Sequence, residues 1–271
     1  MKQPQTNLIT AKPGHKIRLK DVDPDATGDY KSKDEPKERL AQLLKQRGAL
    51  QEKLYAESKQ SLLIVLQAMD TGGKDGALKD LLDGVNPAGI HVAAFKAPTK
   101  EELAHDFLWR VHKEVPPRGF IGVWNRSHYE DVLVARVHNL VPEKVWKRRY
   151  KQINDFEEML GENGTRVVKF YLHISKDEQK KRLQARLDDP DKHWKFSTGD
   201  LEERKLWDDY QSAFEDAINE CSTKAAPWNI VPANHKWARD LALAERVNTV
   251  LEEMNPRFPD ITFDPKKVVV K

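Results

Sequence analysis

Gly72, Gly73 and Gly76 surround a single lysine, Lys74, and the same short stretch carries Asp70, Thr71 and Asp75. Bare glycine backbone lets several N–H groups converge on one anion, and a lysine among them adds a full positive charge. The flanks fit that use. Leu62 to Leu66 is a run of five apolar residues that predicts a short buried strand, and Ala77, Leu78, Leu81 and Leu82 repeat at helical spacing after the loop. A strand, a glycine-rich turn and a helix start together form a phosphate cradle, with the positive end of the helix dipole behind the ligand.

Measured against the pattern G-x-x-x-x-G-K-[ST], the loop departs twice: Ala68 stands at the first glycine position, and Asp75 where Ser or Thr would meet Mg²⁺. Other chemistry-bearing residues fall at the ends of further predicted strands. Ile90 to Phe95 leads to Lys96, Pro98 and Thr99; Phe120 to Trp124 leads to Asn125, Arg126, Ser127, Tyr129, Glu130 and Asp131. After a fourth strand, Arg182 and Arg186 share one helix face. Phosphoryl transfer needs this inventory, because its catalysis is positioning plus neutralisation of charge. Lys74 and Arg126 are candidates to stabilise phosphoryl oxygens, and Asp70 and Asp131 to hold a metal. Each has a plainer reading: Asp131 as a carboxylate answering a helix dipole, Arg126 as a structural partner of Glu130, the two arginines as a solvated face.

The elements that must position these residues alternate strand and helix, which predicts an α/β fold with a parallel sheet of about five strands and helices on both faces. Ligands in such sheets bind at the carboxyl ends of the strands. A helix is predicted over 35–60, with Arg47 interrupting its apolar stripe, and others near 99–111, 144–160, 200–221 and 238–254. Residues 1–34, broken by Pro and Gly, read as a loosely structured N-terminal extension, 35–260 as one domain and 261–271 as an irregular tail. Among 271 residues, 46 basic and 43 acidic side chains leave a net charge of +3, a mixed surface that argues against a nucleic-acid coat. One cysteine, Cys221, allows no internal disulfide, and no apolar run approaches a membrane span, so a cytoplasmic protein is expected. The scattered histidines make zinc improbable, and His128 and His173 read as structural.

Ala68 to Gly76, Phe95 to Thr99, Asn125 to Asp131 and the stretch Arg182 to Tyr210, centred on Asp191-Lys192-His193-Trp194-Lys195, together resemble the polyphosphate kinase 2 family, over roughly residues 35 to 255. The wording His128-Tyr129-Glu130-Asp131 is most similar to the subgroup acting on both AMP and ADP, class III. The resemblance implies a three-layer α/β/α sandwich of the P-loop kinase fold with a helical lid over about 176–210. It implies phosphoryl transfer between inorganic polyphosphate and AMP, ADP or ATP, reversible and dependent on Mg²⁺, with Mn²⁺ as a substitute. By position it assigns Asp70, Lys74, Arg126 and Asp131 to catalysis, with Asp70 and Asp131 at the metal. Thr71, Gly72, Gly73, Lys74, Asp75, Gly76, Arg182, Arg186, Lys192 and Lys195 fall to the phosphate chain, and Lys96, Pro98, Thr99, Asn125, Arg126, Tyr129 and Glu130 to the nucleotide. Ala68 falls within the family pattern. A homo-oligomer, dimer or tetramer, is expected, with neither nucleic acid nor membrane as partner. The competing reading is an ATP-dependent nucleoside monophosphate kinase of the same fold; a non-enzymatic polyanion binder is weaker, since the lysine and both carboxylates are present.

Overall fold

The central strand is β2 (Ser61–Ala68), buried along its whole length. Its β-branched and leucine side chains are covered on both faces, as a strand inside a parallel sheet requires. β2 pairs in parallel with β4 (Ile121–Asn125) on one side and β5 (Thr165–His173) on the other. β3 (Ile90–Ala94) lies outside β4, and β6 (Trp228–Pro232) outside β5. The computed structural model describes residues 5–270, so the first four residues of the expected extension and Lys271 of the tail fall outside it.

Five parallel strands match the expectation, and a sixth does not. β1 (Ile9–Thr10) adds antiparallel to β6, giving the order β1-β6-β5-β2-β4-β3. The segment read as loosely structured is therefore fastened to the sheet edge. Ala11 N–H donates to Trp228 O at 2.8 Å, and the amides of Ile17 and Leu19 donate to Asn219 Oδ1 and Glu215 Oε2. Such pairing covers an otherwise open edge, and a two-residue strand leaves no periodicity to read.

Helices cover both faces. α1 (Lys37–Glu57), α2 (Lys74–Leu81) and α10 (Lys236–Met254) pack together on one. Beyond β3 the expected single helix is broken into α3 (Lys100–Leu103) and α4 (Trp109–His112), with Asp106 accepting from Leu108 N–H between them. The other face carries α5 (Val134–Val137), α6 (Glu143–Glu162) and α9 (Trp207–Glu220). α7 (Lys176–Leu187) and α8 (Gly199–Lys205) stand at the strand ends, and α8 and α9 are separate helices where one was expected. Arg47 does not break α1. It is buried, and its Nη2 donates to the carbonyls of Asp80 and Asp83, closing the end of α2.

Under the exit of β4 lies a buried charge network. Lys169 Nζ donates to Tyr129 Oη (2.8 Å), to Cys221 O (2.7 Å) and to Glu157. Glu157 also accepts from Tyr129 Oη at 2.9 Å and meets His128 Nε2 at 3.2 Å. Burial opposes ionisation of Glu157, yet Lys169 and His128 outweigh it and hold the carboxylate below its ordinary range. The network ties β5 and α6 to the single turn His128–Asp131, which carries Glu130 and begins two residues after Arg126. His128 and His173 are both buried, in keeping with structural roles. Lys169→Met should destabilise the protein by about 3–5 kcal/mol, because it strands Glu157 as a buried unpaired charge. Urea denaturation measures this, and adding Glu157→Gln to Lys169→Met should recover part of the loss.

Candidate active site

The loop after β2 leaves the strand at Met69 and turns back on itself, Gly72 N–H donating to Met69 O at 2.9 Å. A Cβ on Gly72 would stand 2.5 Å from that of Ala68, so this approach admits only glycine. Gly73 has φ +98°, and a Cβ there would lie 2.4 Å from Arg239 Nη1. α2 begins at Lys74. Among the described residues, the amides of Gly73, Lys74, Asp75 and Gly76 donate to no acceptor. Four convergent donors at a helix start are the anion cradle the spacing implied.

Four of the loop carbonyls are held by side chains. Lys74 Nζ donates to Ala68 O (2.9 Å), Gln179 Nε2 to Asp70 O (3.0 Å), Arg182 Nη1 to Thr71 O (3.1 Å) and Arg239 Nη1 to Gly73 O (3.1 Å). Thr71 has φ +60°, and its buried Oγ1 has no partner among the described residues. Burial, with Arg126 adding, pushes Lys74 down to about 8 against the pull of Asp70, Glu130 and Asp75.

Arg126 faces the loop from β4. Its φ of +65° is a strained conformation for a side-chain-bearing residue, stabilised by its N–H donating to Leu66 O at 3.1 Å. Its guanidinium spans Asp70 Oδ1 (2.8 Å) and Glu130 Oε2 (3.1 Å). Burial disfavours that charge, but Glu130 and Asp70 raise its proton affinity. The structural pairing of Arg126 with Glu130 is present, and its guanidinium also lines the cleft beside the loop. Asn125 Nδ2 donates to Asp75 Oδ1 at 2.7 Å, so Asp75 is bonded to a strand end.

These groups line a cleft of about 620 Å³ that also takes in Phe95, Lys96, Arg182, Arg186, Lys192, Lys195, Asp200, Lys236 and Arg239. Nine cationic side chains against three carboxylates line it, although the chain as a whole is nearly balanced; the fold has sorted the charge. Arg186 donates to Lys195 O at 3.0 Å and pairs with Asp200 at 3.3 Å, Lys192 pairs with Asp189, and Lys195 Nζ sits 4.7 Å over Trp194.

Several expected site residues lie elsewhere. Tyr129 is fully buried with its hydroxyl in the Lys169–Glu157 network, and cannot meet a nucleotide. Thr99 is committed to a capping box with Glu102, and neither it nor Pro98 lines the cleft. Asp131 does not line the cleft; its carboxylate, expected at a metal, meets Arg149 (3.1 Å) and Arg110 (3.9 Å). Glu130 lines an adjoining pocket with Asp70 and Arg126. Arg182 is no free lid cation: all its nitrogens bond to Glu178, Thr71 O, Ala233 O and Asn234 O. Sequence reasoning missed Gln179, Asp200, Lys236 and Arg239. Arg239 left a signal, a charge between Ala238 and Leu241 on a face that is otherwise core.

A metal would find one well-placed carboxylate here. Asp70 is partly exposed at the lip of the loop, and its Oδ2 accepts no hydrogen bond among the described residues. No group of three His, Cys, Asp or Glu side chains among them is gathered to hold an ion. That set fits Mg²⁺, which is commonly held by one or two carboxylates plus substrate phosphates and keeps several waters. It does not fit an all-protein cage.

A family model described as Polyphosphate kinase 2 matches residues 30–259. An AMP/ADP-polyphosphate phosphotransferase of Meiothermus ruber is 51% identical over 260 residues, 96% of this chain and 97% of the relative. An ADP-polyphosphate phosphotransferase of Rhodopseudomonas palustris is 43% identical over 254 residues, 89% and 88% of the two chains. The crystal structure of Polyphosphate Kinase 2 from Arthrobacter aurescens superposes with a TM-score of 0.91 at 47% identity, covering 95% of this chain and 92% of that one.

The position of Lys74 sets a pH dependence. In the free enzyme its charge is lost as pH rises through about 8, so kcat/KM for a phosphate-chain substrate should fall above that value. Bound phosphates favour the ammonium, so kcat should hold to higher pH. Lys74→Arg should remove the alkaline limb at a lower overall rate. Steady-state profiles decide this, and a kcat/KM level up to about pH 10 would mean that Lys74 does not carry the charge.

Proposed function

The chain belongs to the polyphosphate kinase 2 family, and we propose on that premise that it transfers phosphoryl groups from inorganic polyphosphate to AMP and ADP. The relatives named for AMP/ADP and ADP support both acceptors. The observation that carries the reading is the basic wall. Beyond the amide cradle at Gly73 to Gly76, Arg186, Lys192 and Lys195 follow β5 and Lys236 follows β6, so these cleft cations belong to the β5–β6 side of the sheet. A row of cations extending beyond one phosphate cradle suits a linear polyanion. The opposite side, with Phe95, Lys96 and Asn125, is the place for the nucleotide.

In the transfer, the P–O bond between the terminal phosphoryl group and the rest of the chain breaks. A new P–O bond forms to an oxygen of the nucleotide's terminal phosphate, and the polyphosphate leaves one unit shorter. Lys74, the loop amides and Arg126 face the oxygens on which negative charge concentrates, in a partly enclosed cleft where such contacts are strong. The attacking phosphate oxygen is largely ionised at neutral pH, so Asp70 positions the reacting groups and no strong base is needed. Mg²⁺, or Mn²⁺ in its place, would be held by Asp70 with phosphate oxygens and would neutralise their charge. Arg182 keeps the loop in shape rather than meeting substrate.

Incubation with long-chain polyphosphate, Mg²⁺ and AMP or ADP, followed by chromatography of the nucleotides, should show ADP and ATP accumulating, and chelation should stop it. Transfer from ATP to AMP without transfer from polyphosphate would overturn the proposal in favour of a nucleoside monophosphate kinase. Lys74→Ala should lower kcat by about 10²–10³-fold with the fold retained, as loss of a charge that stabilises the transition state does. Lys192→Ala, by contrast, should raise KM for polyphosphate with little change in kcat, the pattern of lost uniform binding. An unchanged KM would return Lys192 to the solvated face.

A further inference from the structure

Behind the phosphate loop lies a group of charges that the transfer reaction leaves unused. Arg239, in the first turn of α10, is only 2% exposed. One edge of its guanidinium holds Gly73 O through Nη1 at 3.1 Å. Cβ atoms built on Gly73 and Gly76 would lie 2.4 Å from Nη1 and 3.3 Å from Nη2, so the group sits flush against both glycines. The other edge meets Asp240, with Nε at 2.7 Å and Nη2 at 2.5 Å from Oδ1. Nη2 also lies 3.5 Å from Asp80 Oδ2. Gly73 immediately precedes α2 and Asp80 is in its last turn, so one buried arginine spans the helix that presents the loop.

We propose that Asp240, with Asp80 beside it, is a positioning residue for phosphoryl transfer, fixing Arg239 so that the guanidinium holds the loop in its anion-binding shape. This rests on reading the cleft as a phosphate-transfer site. A buried arginine with a mobile head would grip a single carbonyl poorly. Two contacts to one carboxylate fix its plane and direct Nη1 at Gly73. The nearest parallel in the site, Arg182 on Thr71 O, is held by one contact from its Nε to Glu178 Oε1 at 2.8 Å.

The carboxylate pair makes the grip sensitive to pH. Burial, with the like charge of Asp80 adding, pushes Asp240 up to about 7 against the pull of Arg239. The groups around it are Arg239 on its own helix, Asp80 on α2, Asp83 in the turn after α2, and Arg47 on α1. Asp240 shares a small cavity of about 80 Å³ with the last three, into which Arg47 is buried with Nε and Nη1 unpartnered among the described residues. Four charged residues stand in its otherwise apolar wall, and it is roomy enough for water, which gives protons a route to the pair. Above about pH 7 Asp240 is ionised and holds Arg239 as an ion pair. As pH falls through that value the carboxyl takes a proton, the pairing weakens, and the loop loses its rear support.

The experiment is a comparison of full-length wild type, Asp240→Asn and Asp80→Asn with polyphosphate, ADP and Mg²⁺ over about pH 5.5 to 8.5, reading kcat and KM. Substrate phosphates titrate in this range for every variant, so the ratio of wild type to variant is the readout. Asp240→Asn should be about ten- to a hundredfold slower at pH 8, as expected of a misplaced cradle, and its ratio to wild type should shrink towards one below pH 7. Asp80→Asn, which removes the like charge and leaves Arg239 paired to Asp240, should move the acid limb of the wild type to lower pH. Urea midpoints show whether each variant folds; if Asp240→Asn does not, Asp80→Asn alone decides. A wild-type to Asp240→Asn ratio that does not change with pH, or an acid limb that Asp80→Asn leaves in place, overturns the proposal. Wild type that transfers nothing from polyphosphate at any pH overturns the reading of the cleft itself.

Discussion

A loop can offer its amides to an anion only if its carbonyls are engaged elsewhere, and this constraint organises the site. The carbonyls of Ala68, Asp70, Thr71 and Gly73 are taken by Lys74, Gln179, Arg182 and Arg239, side chains drawn from the loop itself, α7 and α10. Hydrogen bonds from charged donors contribute about 1.5–3 kcal/mol each, enough to outweigh the strain of φ +60° at Thr71. Three of these four donors are cations. Charge placed behind the loop to shape it also raises the positive potential in front, so positioning and electrostatics are served by one set of residues.

The cost of gathering so much charge is met by carboxylates placed at and just outside the edge of the cleft. Glu178 holds Arg182, Asp240 and Asp80 hold Arg239, and Asp70 with Glu130 holds Arg126. Each arginine is therefore paired with a carboxylate and fixed in direction. Deeper still, the Lys169–Glu157–Tyr129–His128 network anchors the turn after β4. That anchoring lets Arg126 persist at φ +65°. Removal of any one layer would loosen the next one towards the substrate.

The sequence shows the front of this arrangement better than the back. The five parallel strands were legible because buried parallel strands are continuous apolar runs, and the loop because glycine and lysine spacing reflects anion geometry directly. The turn after β4 misled. In the tight turn from Ser127 to Asp131, adjacent residues diverge, so Arg126 and Glu130 meet in front while Tyr129 points into the core and Asp131 towards Arg149. Position within a motif does not separate these directions. β1 was illegible for a different reason: a two-residue edge strand is created by its partner, Trp228 to Ile230, more than by its own residues.

Asp75 shows how a departure from a pattern acquires meaning only in three dimensions. As the residue standing where a hydroxyl would meet a metal, it looked like a defect of the loop. Its carboxylate instead accepts from Asn125, joining the first turn of α2 to the end of β4. Arg126, the next residue, reaches Asp70 at the other end of the loop. Two consecutive residues of one strand end thus fasten both ends of the phosphate loop, each through a loop carboxylate. Asp75 is thereby occupied with fastening, while Asp70 keeps one oxygen open to the cleft. The loop's two carboxylates are thus divided: the one at 75 serves as a strut, and the one at 70 is left free for the metal role proposed for it.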